Sequence, residues 1–152
     1  MKKSKIGRAL LLLFTVIAFN FTTSGLTNSF GLDSYEIYLN NKLLLKQYVN
    51  QPLNLRVLQL EKNQENGQLQ IGYTHCMNKG IGTGRSLALK DEAGHILHKW
   101  TFADGSGSGL KMTIAVKELL QLEKKNAGHE LSLYYTAHEL EKGEMLSTIR
   151  FK

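Results

Sequence analysis

The sequence predicts a mainly β protein, an antiparallel two-sheet β-sandwich of immunoglobulin-like type, with eight to nine strands and one short crossover helix around residues 117–126. Short segments in which apolar and polar residues alternate recur along the chain. Turn residues separate these segments, as in proteins built from two packed sheets. A single segment departs from the alternation and has helical spacing. A small β-barrel is the second choice.

The first strands follow from alternation and from the residues between them. "SYEIYL" alternates, and Asn40-Asn41 separates it from "KLLLKQYV". Because asparagine tolerates a positive φ, this pair predicts a tight hairpin turn. Pro52 ends the second strand, since proline cannot donate to a ladder hydrogen bond. A third strand is predicted over "LNLRVLQL", with Leu53, Leu55 and Val57 on one apolar face.

The second half of the chain repeats this organisation around one helix. "QLQIGYTHC" alternates, and "RSLALKD" with "ILHKWTF" forms a hairpin that places Ile96, His98 and Trp100 on one face. "KELLQLEKKNAG" has leucines near helical spacing, lysines in its last turn and a glycine after it, which indicates a short helix. "ELSLYYTA" returns to alternation with Tyr135 inward and Tyr134 outward, and "MLSTIRF" closes the chain.

The N-terminal segment has the organisation of a secretory signal peptide. "MKKSKIGR" is basic, and "ALLLLFTVIAF" is apolar but shorter than the ~20 residues that a membrane-spanning helix needs. Small and polar residues follow, as signal-peptide cleavage requires. We expect a signal peptide over residues 1–25, with cleavage as late as residue 31. A single β-sandwich domain over 32–152 would then be periplasmic or extracellular, without a membrane span.

The net charge is informative only after the signal peptide is set aside. Four of the nineteen basic residues lie in the first eight positions, before the first acidic residue. The rest of the chain has fifteen basic and thirteen acidic residues, which is +2 instead of +6. This balance does not predict a nucleic-acid partner. We expect a protein or an envelope ligand as the partner.

Three stretches together carry a resemblance. They are "SYEIYLNNKLLLKQYV", "GIGTGRSLALKDEAGHILHKWTFAD" and "VKELLQLEKKNAGHELSLYY". Their layout resembles small uncharacterised secreted β-proteins of Gram-negative bacteria, over most of the mature chain. The resemblance implies export and one β domain. Since that group has no established activity, it implies no site residue.

A glycine series precedes the predicted hairpin, with Gly80, Gly82 and Gly84 followed by Arg85. A phosphate-binding glycine loop leads into a helix, whose free N–H groups meet the anion. Here the next segment is a predicted strand, so the series indicates a strand-to-strand connection. Loops on a rigid sandwich carry recognition. Lys79 and Arg85 are therefore candidate binding-loop residues, within loop 77–85, and loop 104–109 is the second candidate.

Metal and thiol chemistry form the alternative hypothesis. His75 and Cys76 are adjacent, so in a regular strand their side chains point to opposite faces and do not share one metal. His75 and His98 each share a face with predicted core residues, and they are the candidate metal ligands. His95, His129 and His138 are alternative candidates for a third metal ligand, and the spacing does not select one of them. Cys76 is the candidate reactive thiol, although a lone cysteine is most often buried and inert.

These patterns favour a non-catalytic exported module of the cell envelope, with a binding or structural role. No catalytic residue is predicted, and no cofactor apart from a metal ion in the alternative. That alternative is a metal-binding or thiol-redox protein that uses His75, His98 and Cys76.

Overall fold

A computed structural model describes residues 32–76, 80–107 and 109–152. The predicted signal peptide over residues 1–25, its cleavage site as late as residue 31, and Lys79 lie outside the described residues. Within the described part of the chain, no helix combines the length and the apolar character that a membrane span requires.

Nine strands and one α-helix are formed by the described residues, together with two short 3-10 turns at Leu53–Leu55 and Lys62–Gln64. In chain order they are β1 (Ser34–Leu39), β2 (Lys42–Tyr48), β3 (Val57–Leu60), β4 (Gln68–Thr74), β5 (Ser86–Lys90), β6 (Ile96–Thr101), β7 (Met112–Ala115), α1 (Val116–Lys125), β8 (Leu131–Ala137) and β9 (Leu140–Phe151).

The strands form two sheets in a sandwich-like arrangement, which confirms the predicted mainly β architecture. The first sheet has the order β2-β1-β4-β7, and the second has the order β3-β9-β8-β5-β6. Their pairings are antiparallel, apart from β3 with β9, which run parallel. The predicted hairpin turn between β1 and β2 is present, and Asn40 and Asn41 adopt φ values of 49° and 66° there.

Helix α1 is the predicted crossover, because it joins β7 of the first sheet to β8 of the second. It buries Val116, Leu119 and Leu120, which lie on one side at helical spacing. Lys124 and Lys125 occupy its last turn, where the helix dipole favours positive charge. The helix therefore packs one apolar side against the core while it changes sheets.

The core lies between the sheets and contains a stack of tyrosines. The rings of Tyr73 on β4 and Tyr135 on β8 have centroids 4.0 Å apart, and Tyr35 lies parallel to Tyr73 at 6.4 Å. These rings are buried, and the Tyr35 hydroxyl donates to the Leu146 carbonyl at 2.6 Å. Large aromatic rings bury much apolar surface, and their hydroxyls need partners in the interior. The stack thus joins the two sheets through apolar and polar contacts.

The buried Arg56 ties the β2–β3 connection to β9. Its guanidinium donates to the carbonyls of Gln51 at 2.9 Å and Met145 at 2.6 Å, and to the carbonyl of Val49. It also forms an ion pair with Glu144. A buried charge is tolerated only with such partners. Arg56 therefore links the segment before β3 to β9 of the second sheet.

Two predicted placements are wrong. Leu53 and Leu55 are not core residues of a strand, because the chain forms a 3-10 turn there and leaves both exposed. Ile96 does not join the inner face of β6 and is 58% exposed. The pairing of β5 with β6 shifts register between Leu89 and Lys90, and this shift breaks the alternation at the start of β6.

Candidate functional site at the loop end of the sandwich

The described parts of both predicted binding loops lie at one end of the sandwich and pair with each other. We call this region the loop end; it comprises residues 80–85, 103–107 and 109–110, and the turn at 138–139. Gly82 and Gly105 form an antiparallel bridge, in which the Gly105 N–H donates to the Gly82 carbonyl at 2.9 Å. The His138 N–H donates to the Thr83 carbonyl at 2.9 Å. Backbone bonds therefore join three chain segments here.

Acidic side chains add a second set of bonds at the loop end. Glu139 accepts hydrogen bonds from the Thr83 hydroxyl at 2.6 Å and from the Thr83 N–H at 2.9 Å. These bonds favour the carboxylate, and they lower the pKa of Glu139 to about 2. Asp104 accepts a bond from the Gly84 N–H at 2.8 Å. Both carboxylates hold the backbone of the glycine loop in place.

Arg85, the predicted binding-loop cation, points into the protein. It is only 2% exposed, its Nε donates to the Ala103 carbonyl at 2.7 Å, and its Nη1 donates to the Leu110 carbonyl at 3.0 Å. The fixed fork of the guanidinium suits two carbonyls on one neighbouring segment. Arg85 thus links the loop to the segment that follows β6.

His75 lies beneath the loop in a buried polar cluster. Its Nε2 is 2.9 Å from the Tyr135 hydroxyl, and its Nδ1 is 3.6 Å from Asp33 Oδ2. The Tyr73 hydroxyl donates to the same oxygen at 2.9 Å, and the Cys76 N–H donates to Asp33 Oδ1 at 2.9 Å. The start of β1, the end of β4 and the middle of β8 are joined through these groups.

The tyrosines of this cluster are neutral at ordinary pH. Burial raises the pKa of Tyr135 to about 12, and burial together with the Asp33 carboxylate raises the pKa of Tyr73 further. Both hydroxyls therefore keep the proton with which they form hydrogen bonds. This arrangement suits a structural network, because buried polar groups are stable when they are bonded.

Gly82 covers the contact between His75 and Tyr135. A Cβ at this position would lie 2.5 Å from the Tyr135 hydroxyl and 2.8 Å from His75 Nε2. Only glycine therefore allows this close approach of the loop. His75 is 5% exposed beneath it.

The second predicted metal ligand, His98, lies elsewhere in the molecule. It is on the edge strand β6, its ring centroid is 4.6 Å from that of Trp100, and its Nε2 is 3.3 Å from Glu118 on α1. The two predicted ligands thus have different neighbours, and the structure does not bring them together. Within the described residues, no group of three or more histidine, cysteine, aspartate or glutamate side chains is arranged to hold a metal ion.

The remaining histidines each lie beside a different group. His95 pairs with Asp91 at 2.9 Å, His129 pairs with Glu92 at 2.9 Å, and His138 Nδ1 lies 3.2 Å from the Thr83 hydroxyl. Cys76 is a free cysteine with a half-buried side chain, whereas the neighbouring His75 is buried, and both residues follow the end of β4 at Thr74.

Two apolar side chains are exposed at the loop end. Ile81 is 60% exposed beside the bridged Gly82, and Leu110 is 53% exposed and packs against Gly105.

Comparison of the chain with protein-family models, curated proteins and solved structures finds no significant match.

Proposed function

We propose that the protein is an exported, non-catalytic binding module of immunoglobulin-like type. In this proposal it acts in the periplasm or outside the cell, and its loop end contacts a protein partner of the envelope. The proposal rests on how polar and apolar side chains are arranged at the loop end. The polar groups of that end bond to one another, while Ile81 and Leu110 remain exposed.

Fixed loops favour recognition for an energetic reason. Association costs about 0.5–1.5 kcal/mol for each side chain that is ordered on binding, and a preformed surface avoids part of this cost. Loops on a rigid scaffold are a common position for binding residues. Because Ile81 and Leu110 are exposed apolar side chains of the loop end, a protein surface with apolar side chains suits them best.

A photocrosslinking experiment tests the binding surface. The full chain is produced in its native host with p-benzoylphenylalanine in place of Ile81 or, separately, Leu110. Ile96 is the matched control, since it is almost equally exposed but lies on β6. We expect a discrete adduct from both loop-end positions and none from the control. Absence of loop-end adducts, or the same adducts from Ile96, contradicts the proposal.

Two further measurements test export and the alternative chemistry. The intact mass of the exported protein should correspond to cleavage between residues 25 and 31, and a mass that retains the basic N-terminus contradicts export. Stoichiometric metal in untagged protein, lost in both His75→Ala and His98→Ala, would replace the binding module by the metal-binding alternative. Rapid alkylation of Cys76 in the folded protein would favour a thiol-redox role.

A further inference from the structure

A groove of about 470 Å³ lies on the outer face of the second sheet, away from the loop end. Its floor is formed by Ser132 and Tyr134 of β8 with Met145 and Thr148 of β9. Tyr134 points outward because its neighbour Tyr135 points into the core. The volume lies within the range of about 300–1,000 Å³ that is typical of small-molecule sites.

Two turns form the walls of this groove. Leu53 and Asn54 of the first 3-10 turn line one side, and Asp91 and Glu92 of the β5–β6 turn line the other. The second wall is held in place, since Glu92 accepts hydrogen bonds from the Glu130 N–H at 3.1 Å and pairs with His129 at 2.9 Å. The exposed 3-10 turn, which is not part of the core, thus has a role as a wall.

The floor of the groove excludes recognition by strand addition. Strand β8 is paired on one side with β9 and on the other with β5. Its backbone groups are therefore used within the sheet, whereas an added peptide strand needs a free sheet edge. A ligand in this groove is bound by side chains.

The side chains that line the groove include both hydrogen-bond donors and hydrogen-bond acceptors. Asp91, Glu92 and Glu130 provide acceptors, and Arg150 provides donors. The floor hydroxyls of Ser132 and Thr148, and the Asn54 amide on the wall, provide both. A ligand with many hydroxyl groups matches such a set, because each hydroxyl both donates and accepts.

Charge disfavours the two simplest charged ligands. An anion would meet the carboxylates of Asp91, Glu92 and Glu130. Asp91 and Glu92 are already paired with His95 and His129, which reduces their attraction for a cation, and a cation would also meet Arg150. Lys90 adds a second positive charge, with its Nζ 4.2 Å from the centroid of the Tyr134 ring. Tyr134, Met145 and Leu53 add apolar surface, on which the C–H groups of a sugar ring can pack.

We propose that this groove binds a neutral oligosaccharide. The site is separate from the loop end, so it adds a second binding activity to the protein and does not depend on the first.

The test is a titration of the ¹⁵N-labelled mature chain, observed by NMR. The probes are neutral oligosaccharides of glucose, galactose, mannose and N-acetylglucosamine, with an anionic oligosaccharide and a basic peptide as counter-probes. We expect at least one neutral oligosaccharide to saturate shifts of the Ser132, Tyr134 and Thr148 amides. In Tyr134→Ala the affinity should fall about tenfold or more, which corresponds to about 1.4 kcal/mol. Tyr48→Ala, an exposed tyrosine on β2, should bind as the wild type does.

Asn54→Ala is the second variant, because it removes a wall amide from an exposed turn and leaves the sheet intact. It should weaken the same titration even if Tyr134→Ala does not fold. The proposal is overturned if no neutral oligosaccharide shifts the groove amides at millimolar concentration. It is equally overturned if only a counter-probe does so, or if the groove variants bind as tightly as Tyr48→Ala.

Discussion

The loop end and the groove use the same residue types for opposite purposes. Arg85 is buried and donates to two carbonyls, whereas Arg150 is exposed and lines the groove. Adjacent in sequence, Tyr135 bonds to His75 in the interior and Tyr134 faces the groove. The difference lies in burial and partners. Polar groups fix the shape of the loop end, and in the groove they are presented to a ligand.

The largest expected effect separates the two arginines. Arg85→Met removes the donors of the Ala103 and Leu110 carbonyls. It should lower the free energy of unfolding by about 1–3 kcal/mol, the usual cost of a buried polar group left unpaired. Arg150→Met should change it by less than about 0.5 kcal/mol, as expected for an exposed residue. Urea denaturation measures the free energy of unfolding of both variants. An equal decrease in the two variants would contradict the distinction between the two regions.

A smaller effect concerns Glu139, whose pKa is lowered from 4.5 to about 2 in the folded protein. A lowered folded-state pKa contributes stability above pH 4.5, and this contribution is lost as the pH falls towards 2. Glu139→Gln should therefore be less stable than the wild type near neutral pH and approach it near pH 2. Glu141→Gln, at an exposed position of β9, is the control. Its free energy of unfolding should change between neutral pH and pH 2 by the same amount as that of the wild type. Parallel pH profiles for wild type and Glu139→Gln would contradict the role of the carboxylate.

Much of the fold could be predicted because it depends on local pattern. Alternation located most strands and separated Tyr134 from Tyr135, and the Asn40-Asn41 pair located a turn. The break in alternation located the helix at Val116–Lys125, within a residue of the predicted range. Each of these features is set by neighbours in sequence, where period and turn preference act directly.

The polar partners at the loop end could not be predicted, because they are distant in sequence. His75 and Tyr135 are 60 residues apart, and Thr83 and Glu139 are 56 apart. Their meeting depends on how the two sheets align, which no local period encodes. The register shift that exposes Ile96 and the 3-10 turn at Leu53–Leu55 also follow from tertiary pairing. For the same reason, the walls of the groove carry no recognisable sequence signal.

The polar groups of the loop end hold it as a preformed surface. Amide hydrogen exchange tests it most directly, because the Thr83, Gly84 and Gly105 amides are bonded to Glu139, Asp104 and the Gly82 carbonyl. We expect slow exchange at these three amides, comparable with that of Leu87 in the interior strand β5, and faster exchange of Thr83 in Glu139→Gln. Exchange of all three at the rate of unprotected loop amides would contradict it.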